Sequence, residues 1–278
     1  MGKLYIVGDS FASNEDTQFI DNSWVTLLGN KLGVEEICNR GMMGSSQDFA
    51  FYSLQDWEEI ITPDDYIVVA LTHAARFWFF EDYPAITKPD HLEHFKNKIG
   101  PYRHSAASLY LQYIQRPELD SLHIENRIAW LSYTAEFRGW KKPLVINAIA
   151  NQGDPLRFEY NLNFSKGDLT TVSFAEVRPG ATYEEYIKII ERVDPRYNHL
   201  CLSNHAILAD KIYNTLVNNI ELDLTTGFKE NILSTDKIND LEFQKQELSP
   251  YAMQRRSEHL QNAKKEYNAW RLKSMFKF

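Results

Sequence analysis

Apolar residues along this chain fall into two patterns: short solid runs, and longer stretches with helical spacing between them. Leu4–Val7 (LYIV) is a run of bulky apolar residues that ends at Gly8, and it reads as a strand buried on both faces. Ser23 can cap a helix that carries Trp24, Leu27, Leu28 and Leu32 on one face, and Gly33 is placed to end it in the left-handed conformation. Residues 34–38 form a second short run, residues 39–44 a glycine-containing turn, and residues 46–57 a further helix. Pro63-Asp64-Asp65 is turn chemistry, and Tyr66–Leu71 (YIVVAL) is the clearest strand of the chain.

Residues 85–140 are mainly helical in pattern, broken by Pro89, Gly100-Pro101 and Pro117. Pro143 introduces another buried strand at 144–150. Residues 151–167 read as an irregular loop and 170–177 as a fifth strand. Thr182 can cap a helix reaching Val193, and Ser203 one running to about Asn219. Strands alternating with helices predict an α/β domain, a parallel sheet of about five strands with helices on both faces. In such sheets ligands bind beyond the carboxyl ends of the strands, so the residues that follow each strand are where chemistry is expected. From residue 221 the texture changes. Residues 221–248 are polar and acidic, and from Ser249-Pro250 onward comes a basic helical pattern. The expected organisation is therefore a domain over 1–220, with a helical insertion at about 85–140, followed by a polar linker and a basic C-terminal helix over 221–278.

Composition narrows this picture. A chain of 278 residues with 44% hydrophobic and 24% charged residues suits one large α/β domain with an appendage. A net charge of −8 argues against general nucleic-acid binding, because no basic field gathers phosphates. Cys38 and Cys201 sit in apolar contexts without metal-ligand spacing and read as buried free thiols. The apolar run at the N-terminus is too short for a signal peptide or a membrane span, so a cytoplasmic protein is expected.

Three segments at strand ends carry candidate chemistry. Gly8-Asp9-Ser10-Phe11 follows the first strand, where a serine lies close to backbone N–H groups able to stabilise an oxyanion. Asn39-Arg40-Gly41-Met42-Met43-Gly44 follows the second, and the Gly44 N–H is a second such donor. Asp194-Pro195-Arg196-Tyr197-Asn198-His199 precedes the last core helix, which opens with Ser203-Asn204-His205. A serine nucleophile needs a base of the kind a loop histidine supplies. Each segment alone also fits a turn or a helix cap.

Together and in this order, the three segments resemble the SGNH/GDSL hydrolase superfamily over about residues 3–220. Its first block is matched by Gly8, Asp9 and Ser10, its second by Asn39, Gly41 and Gly44, and its last by His199 and His205, six residues apart. The resemblance implies a flavodoxin-like three-layer fold with sheet order 2-1-3-4-5. It also implies hydrolysis of an ester, an O-acetyl group on a carbohydrate being one instance, with no cofactor. Ser10 is then the nucleophile, His199 the base and Asp194 the acid that orients it, with the N–H groups of Ser10 and Gly44 holding the oxyanion. The blocks also resemble SGNH-like proteins encoded in tailed-bacteriophage genomes, some of which serve in virions.

Two positions depart from the family pattern. Its third block, Gly-x-Asn-Asp after strand three, is here Leu71-Thr72-His73-Ala74-Ala75-Arg76, which leaves Thr72, His73 or Arg76 as replacement donors. The acid, usually two or three residues before the histidine, is here five before it. The alternative reading is an inactive SGNH scaffold acting in structure or interaction, as a virion component for instance. His205 is the rival base, but at a helix start the dipole disfavours its protonated form. Phe77-Trp78-Phe79-Phe80 and Tyr83 suit sugar rings or acyl chains, or core packing. His91-x-x-His94 has helix-face spacing without an evident third ligand, so no metal is expected. In the tail, Met253, Leu260, Ala263, Tyr267 and Trp270 form a narrow stripe beside Arg255, Lys264, Lys265, Arg271 and Lys273. A helix with so narrow a stripe needs a surface to cover, which predicts docking on a second copy or a virion partner. Neither nucleic acid nor membrane is an expected partner.

Overall fold

The computed structural model describes residues 2–13, 20–42, 44–72, 76, 101–109, 117–148, 160–169, 200 and 202–228. Six strands, β1 (Leu4–Val7), β2 (Ile37–Asn39), β3 (Tyr66–Leu71), β4 (Leu144–Asn147), β5 (Asn163–Lys166) and β6 (Leu222–Asp223), form one sheet in the order β2-β1-β3-β4-β5-β6. Every pairing is parallel. The helices are α1 (Trp24–Leu32), α2 (Gln47–Trp57), α3 (Pro101–Leu109), α4 (Pro117–Arg138) and α5 (Leu202–Asn218), with a 3-10 turn at Ile20–Asn22. This is the three-layer α/β arrangement predicted, with its first four strands in the expected order 2-1-3-4 and with β5 and β6 beyond them.

Alternation along the strands divides the core in two. Leu4 and Ile6 of β1, Val68 and Ala70 of β3, and Leu144 and Ile146 of β4 meet Trp24, Val25 and Leu28 of α1 and Leu208, Ala209 and Ile212 of α5. On the other face Tyr5, Val7, Ile67, Val69, Leu71 and Val145 meet Phe51, Leu54 and Trp57 of α2 and Ile124, Ile128 and Leu131 of α4. The solid apolar runs in β1 and β3 follow from this: a strand covered on both faces has no polar side.

Local signals set the ends of α1. The Ser23 side chain accepts the N–H of Thr26, and Gly33 at φ 63 closes the helix. That closure also corrects the start of the second strand. The N–H groups of Gly33 and Val34 return to Asn30 and Gly29, so the chain joins the sheet only at Ile37 instead of 34. Likewise β4 ends at Asn147, short of the predicted 150. Residues 163–166, expected in a loop, form β5 between β4 and β6. Asn-Phe-Ser-Lys has no strand pattern of its own, and its conformation comes from its two partners. The strand predicted at 170–177 and the helix at 182–193 lie outside the described residues, as do Phe77-Trp78-Phe79-Phe80, His91, His94 and the basic tail. Leu222 and Leu224 are fully buried, so the core continues past the change in texture at 221. Cys38 is a free thiol, pushed up to about 11 chiefly by burial; Cys201 lies outside the described residues. Among the described residues no helix is long and apolar enough to cross a membrane, and no three His, Cys, Asp or Glu gather as metal ligands.

Candidate active site

The crossover from β1 runs to β2 on one side and that from β3 to β4 on the other, so the neighbouring strands β1 and β3 send their chains in opposite directions. At such a switch point the loops after the strands diverge and leave a crevice at their carboxyl ends. The loops there are those after β1 (Gly8–Ser13), after β2 (Arg40–Ser46) and after β3 (from Thr72).

The β1 loop is a tight turn. Gly8 stands at φ 152, and a Cβ on it would come within 2.7 Å of the Ala70 Cβ and 2.8 Å of the Ala70 carbonyl oxygen. Only glycine lets β1 leave the sheet so close to β3. Asp9 follows, completely buried. Its carbonyl accepts the N–H groups of Ala12 and Ser13, both at 3.0 Å, and its Oδ1 accepts that of Phe11 at 3.0 Å. Its Oδ2 accepts the Thr72 hydroxyl at 2.8 Å and the Arg76 guanidinium at 2.9 Å. The same Arg76 nitrogen donates to Thr72 Oγ1 at 2.6 Å. A buried carboxylate is stable when its lone pairs are filled and a cation neutralises it. Asp9 meets both conditions and so ties the β1 turn to the end of β3.

The β2 loop is sewn to the same turn. Met42 N–H and the Ser45 hydroxyl both donate to the Gly8 carbonyl, at 3.1 and 2.7 Å. Asn39 accepts the Gly41 N–H at 2.7 Å and donates through Nδ2 to the Ala12 carbonyl at 2.8 Å. Ser46 then caps α2 by accepting the N–H of Phe49, and Gln47 Nε2 donates to the Thr72 carbonyl at 2.6 Å. Gly44, at φ 72, sits on the bend that leads into α2.

The predicted site residues fall into two groups. Ser10, Gly44, Thr72 and Arg76 come together at this edge through Asp9 and Gly8. Ser10 is half-buried at the head of the turn, and its hydroxyl and the N–H groups of Ser10 and Gly44 have no partner among the described residues. Thr72 and Arg76 turn their polar atoms to Asp9. His73, Asp194 and His199 lie outside the described residues. Leu200, next in sequence to His199, is buried in the same cluster as Phe11 and Ala12.

Asp9, read in the sequence only as part of the Gly8-Asp9-Ser10 block, and Trp24 are the residues to which the sequence assigns no role at this site. A lone aspartate in a turn reads as turn chemistry, and only the buried pairing with Arg76, 67 residues away, marks its role. Trp24 Nε1 donates to the Phe11 carbonyl at 2.7 Å, while its own backbone N–H, the first of α1, is accepted by His205 Nδ1 at 3.1 Å. His205 is buried, and this bond leaves its ring proton on Nε2 when neutral. The series His205–Trp24–Phe11 thus holds the turn from below.

A second titratable cluster lies at the same end of the sheet. Asp48, in the first turn of α2, accepts from His123 Nε2 at 2.7 Å and from Arg127 at 3.0 Å, both on α4. Burial alone would raise the Asp48 carboxyl, but the hydrogen bonds and charges of His123 and Arg127 together outweigh it and hold it below its usual value.

No known protein family and no curated protein matches the sequence. Among solved structures the chain is similar to one described as a lipolytic protein of the G-D-S-L family from Desulfitobacterium hafniense DCB-2, at 14% identity and a TM-score of 0.40 over 78% of this chain and 100% of that one. It is also similar to TesA, at 14% identity and a TM-score of 0.40 over 78% of this chain and 99% of that one.

Proposed function

We propose that this protein is an SGNH-type serine hydrolase that cleaves an ester, an O-acetyl group on a carbohydrate being the form we favour. Ser10 Oγ attacks the ester carbonyl. His199 accepts the hydroxyl proton as the C–O bond forms and returns it to the leaving alkoxide, and water then repeats the sequence on the acyl-enzyme. Asp194 orients His199. The N–H groups of Ser10 and Gly44 hold the oxyanion, and His73 is a further candidate donor. Thr72 and Arg76 act on the reaction through Asp9, by fixing the turn that carries Ser10. Hydrolysis by this route needs no cofactor.

One observation carries the reading. At the switch point of the sheet, a turn fixed through Asp9 and the Gly8 carbonyl leaves the Ser10 hydroxyl and the N–H groups of Ser10 and Gly44 without partners among the described residues. These are a nucleophile and oxyanion donors, which together with a base make up what an acyl transfer requires on the enzyme side.

A fluorophosphonate probe and p-nitrophenyl acetate test it. The wild type is expected to label and to turn over the ester. Ser10→Ala is expected to lose labelling and at least about 10³-fold in kcat, with its melting temperature kept. Equal labelling and turnover in the two proteins would remove Ser10 as nucleophile. No labelling and no turnover in the wild type would instead favour a scaffold that has lost the reaction.

A further inference from the structure

Asn147 ends β4 level with Leu71, the last residue of β3, and one position short of Thr72. Its N–H donates to Ser165 Oγ at 3.0 Å, and the following N–H, of Ala148, donates to the Leu71 carbonyl at 3.0 Å. The backbone is therefore held from both neighbouring strands, and the side chain has little freedom of place. Alternation along β4 directs it to the face covered by α2 and α4. There Val145, two residues before it, and Leu71, beside it, belong to the apolar cluster. An amide stands in this row, with its Oδ1 buried and without a hydrogen-bond partner. Such an orphan carbonyl is costly to leave unmet, a cost that a leucine of similar volume would avoid. The residue as a whole is only partly buried, at the edge of the sheet. The same edge carries Thr72, whose carbonyl is taken by Gln47 in the first turn of α2, three residues beyond Gly44. A buried acceptor that is left unmet beside a candidate site calls for a donor that arrives with the ligand.

We propose that Asn147 lines the substrate site and that its Oδ1 accepts a hydrogen bond from a hydroxyl or N–H of the substrate. The preferred ester is then one that carries such a donor close to the scissile group, as a partly acetylated sugar or polyol does. This deepens the hydrolase reading and rests on it.

The experiment compares 6-O-acetylglucose, which carries hydroxyls, with p-nitrophenyl acetate, which carries no donor. Asn147→Leu is expected to melt no lower than the wild type. The ratio of kcat/KM for acetylglucose to that for p-nitrophenyl acetate is expected to fall about tenfold or more, the worth of one hydrogen bond. Asn147→Ala should show the same fall in ratio whatever its melting temperature. A smaller fall in both variants overturns the proposal, as does a wild type that hydrolyses the p-nitrophenyl ester alone. If the wild type hydrolyses neither ester, the hydrolase reading fails on its own account. Asn147 is then decided by binding: 6-O-acetylglucose must raise the melting temperature of the wild type and not that of Asn147→Leu. The absence of that difference overturns the assignment.

Discussion

The two faces of the sheet are covered by similar pairs of helices fastened in different ways. On the α1–α5 side an exposed ion pair, Lys31–Asp210, is joined by a buried tie without formal charge: His205 of α5 receives the first N–H of α1, and Trp24 passes a second bond to the turn of Ser10. On the α2–α4 side the ties are ionic and lie near solvent. Asp48 pairs with His123 and Arg127 at one end of the two helices, and Glu58 with Arg138 at the other. This side also displays Tyr133 and Phe137, stacked and about 70% exposed (69% and 71%). A buried neutral bond is insensitive to salt and costly to leave half-made, whereas an exposed ion pair is screened and contributes little. The turn of Ser10 is thus supported from α1 by a buried tie that salt does not screen.

Breaking the buried tie should have the largest effect. His205→Ala leaves the Trp24 N–H without its acceptor inside the core, and a loss of about 1–3 kcal/mol is expected in urea denaturation. His205→Asn offers an oxygen close to where Nδ1 stands and should recover part of it. An alanine variant as stable as the wild type would show that the tie does not fasten the face.

The Asp48 cluster should respond to acid. Its carboxyl is held below the ordinary value in the folded chain, so the unfolded chain binds the proton more readily. The stability contributed is present above the unfolded pKa of ~3.9 and is lost as pH falls through the lower folded value. Asp48→Asn should therefore be the less stable protein at pH 7, by about 1 kcal/mol or less. The gap to wild type should close as melting is followed down to pH 3. A gap that stays constant with pH would mean that the carboxylate charge is not what joins the helices.

The smallest effect is expected at the far end. Arg138 and Glu58 are 37% and 27% exposed, and Arg138→Ala should change stability by no more than about 0.5 kcal/mol. A clearly larger loss would put the ionic face on a par with the buried one.

The same contrast governs what could be read from the sequence. The caps of α1 and α2, the runs of β1 and β3 and the serine turn depend on residues a few positions apart, and their patterns are local. The tie between Trp24 and His205 spans 181 positions, and neither residue hints at the other. Strand β5 shows the limit from another side, since Asn163, Ser165 and Lys166 favour no strand and are extended because β4 and β6 flank them. Asn147 was legible only as a polar residue within an apolar run. Its orphan oxygen was not, because whether a polar atom finds a partner depends on the neighbours that the fold supplies.

The bond between His205 and Trp24 also has a consequence for the order of synthesis. A ribosome releases the serine turn early, and the helix that receives the tryptophan nearly two hundred residues later. Until α5 has emerged, the first N–H of α1 has no buried acceptor, and the turn above it lacks one of its supports. Chains stopped before that point keep the ties of the turn to Thr72, Arg76 and Ser45 but lack the support that reaches it through Trp24 from His205.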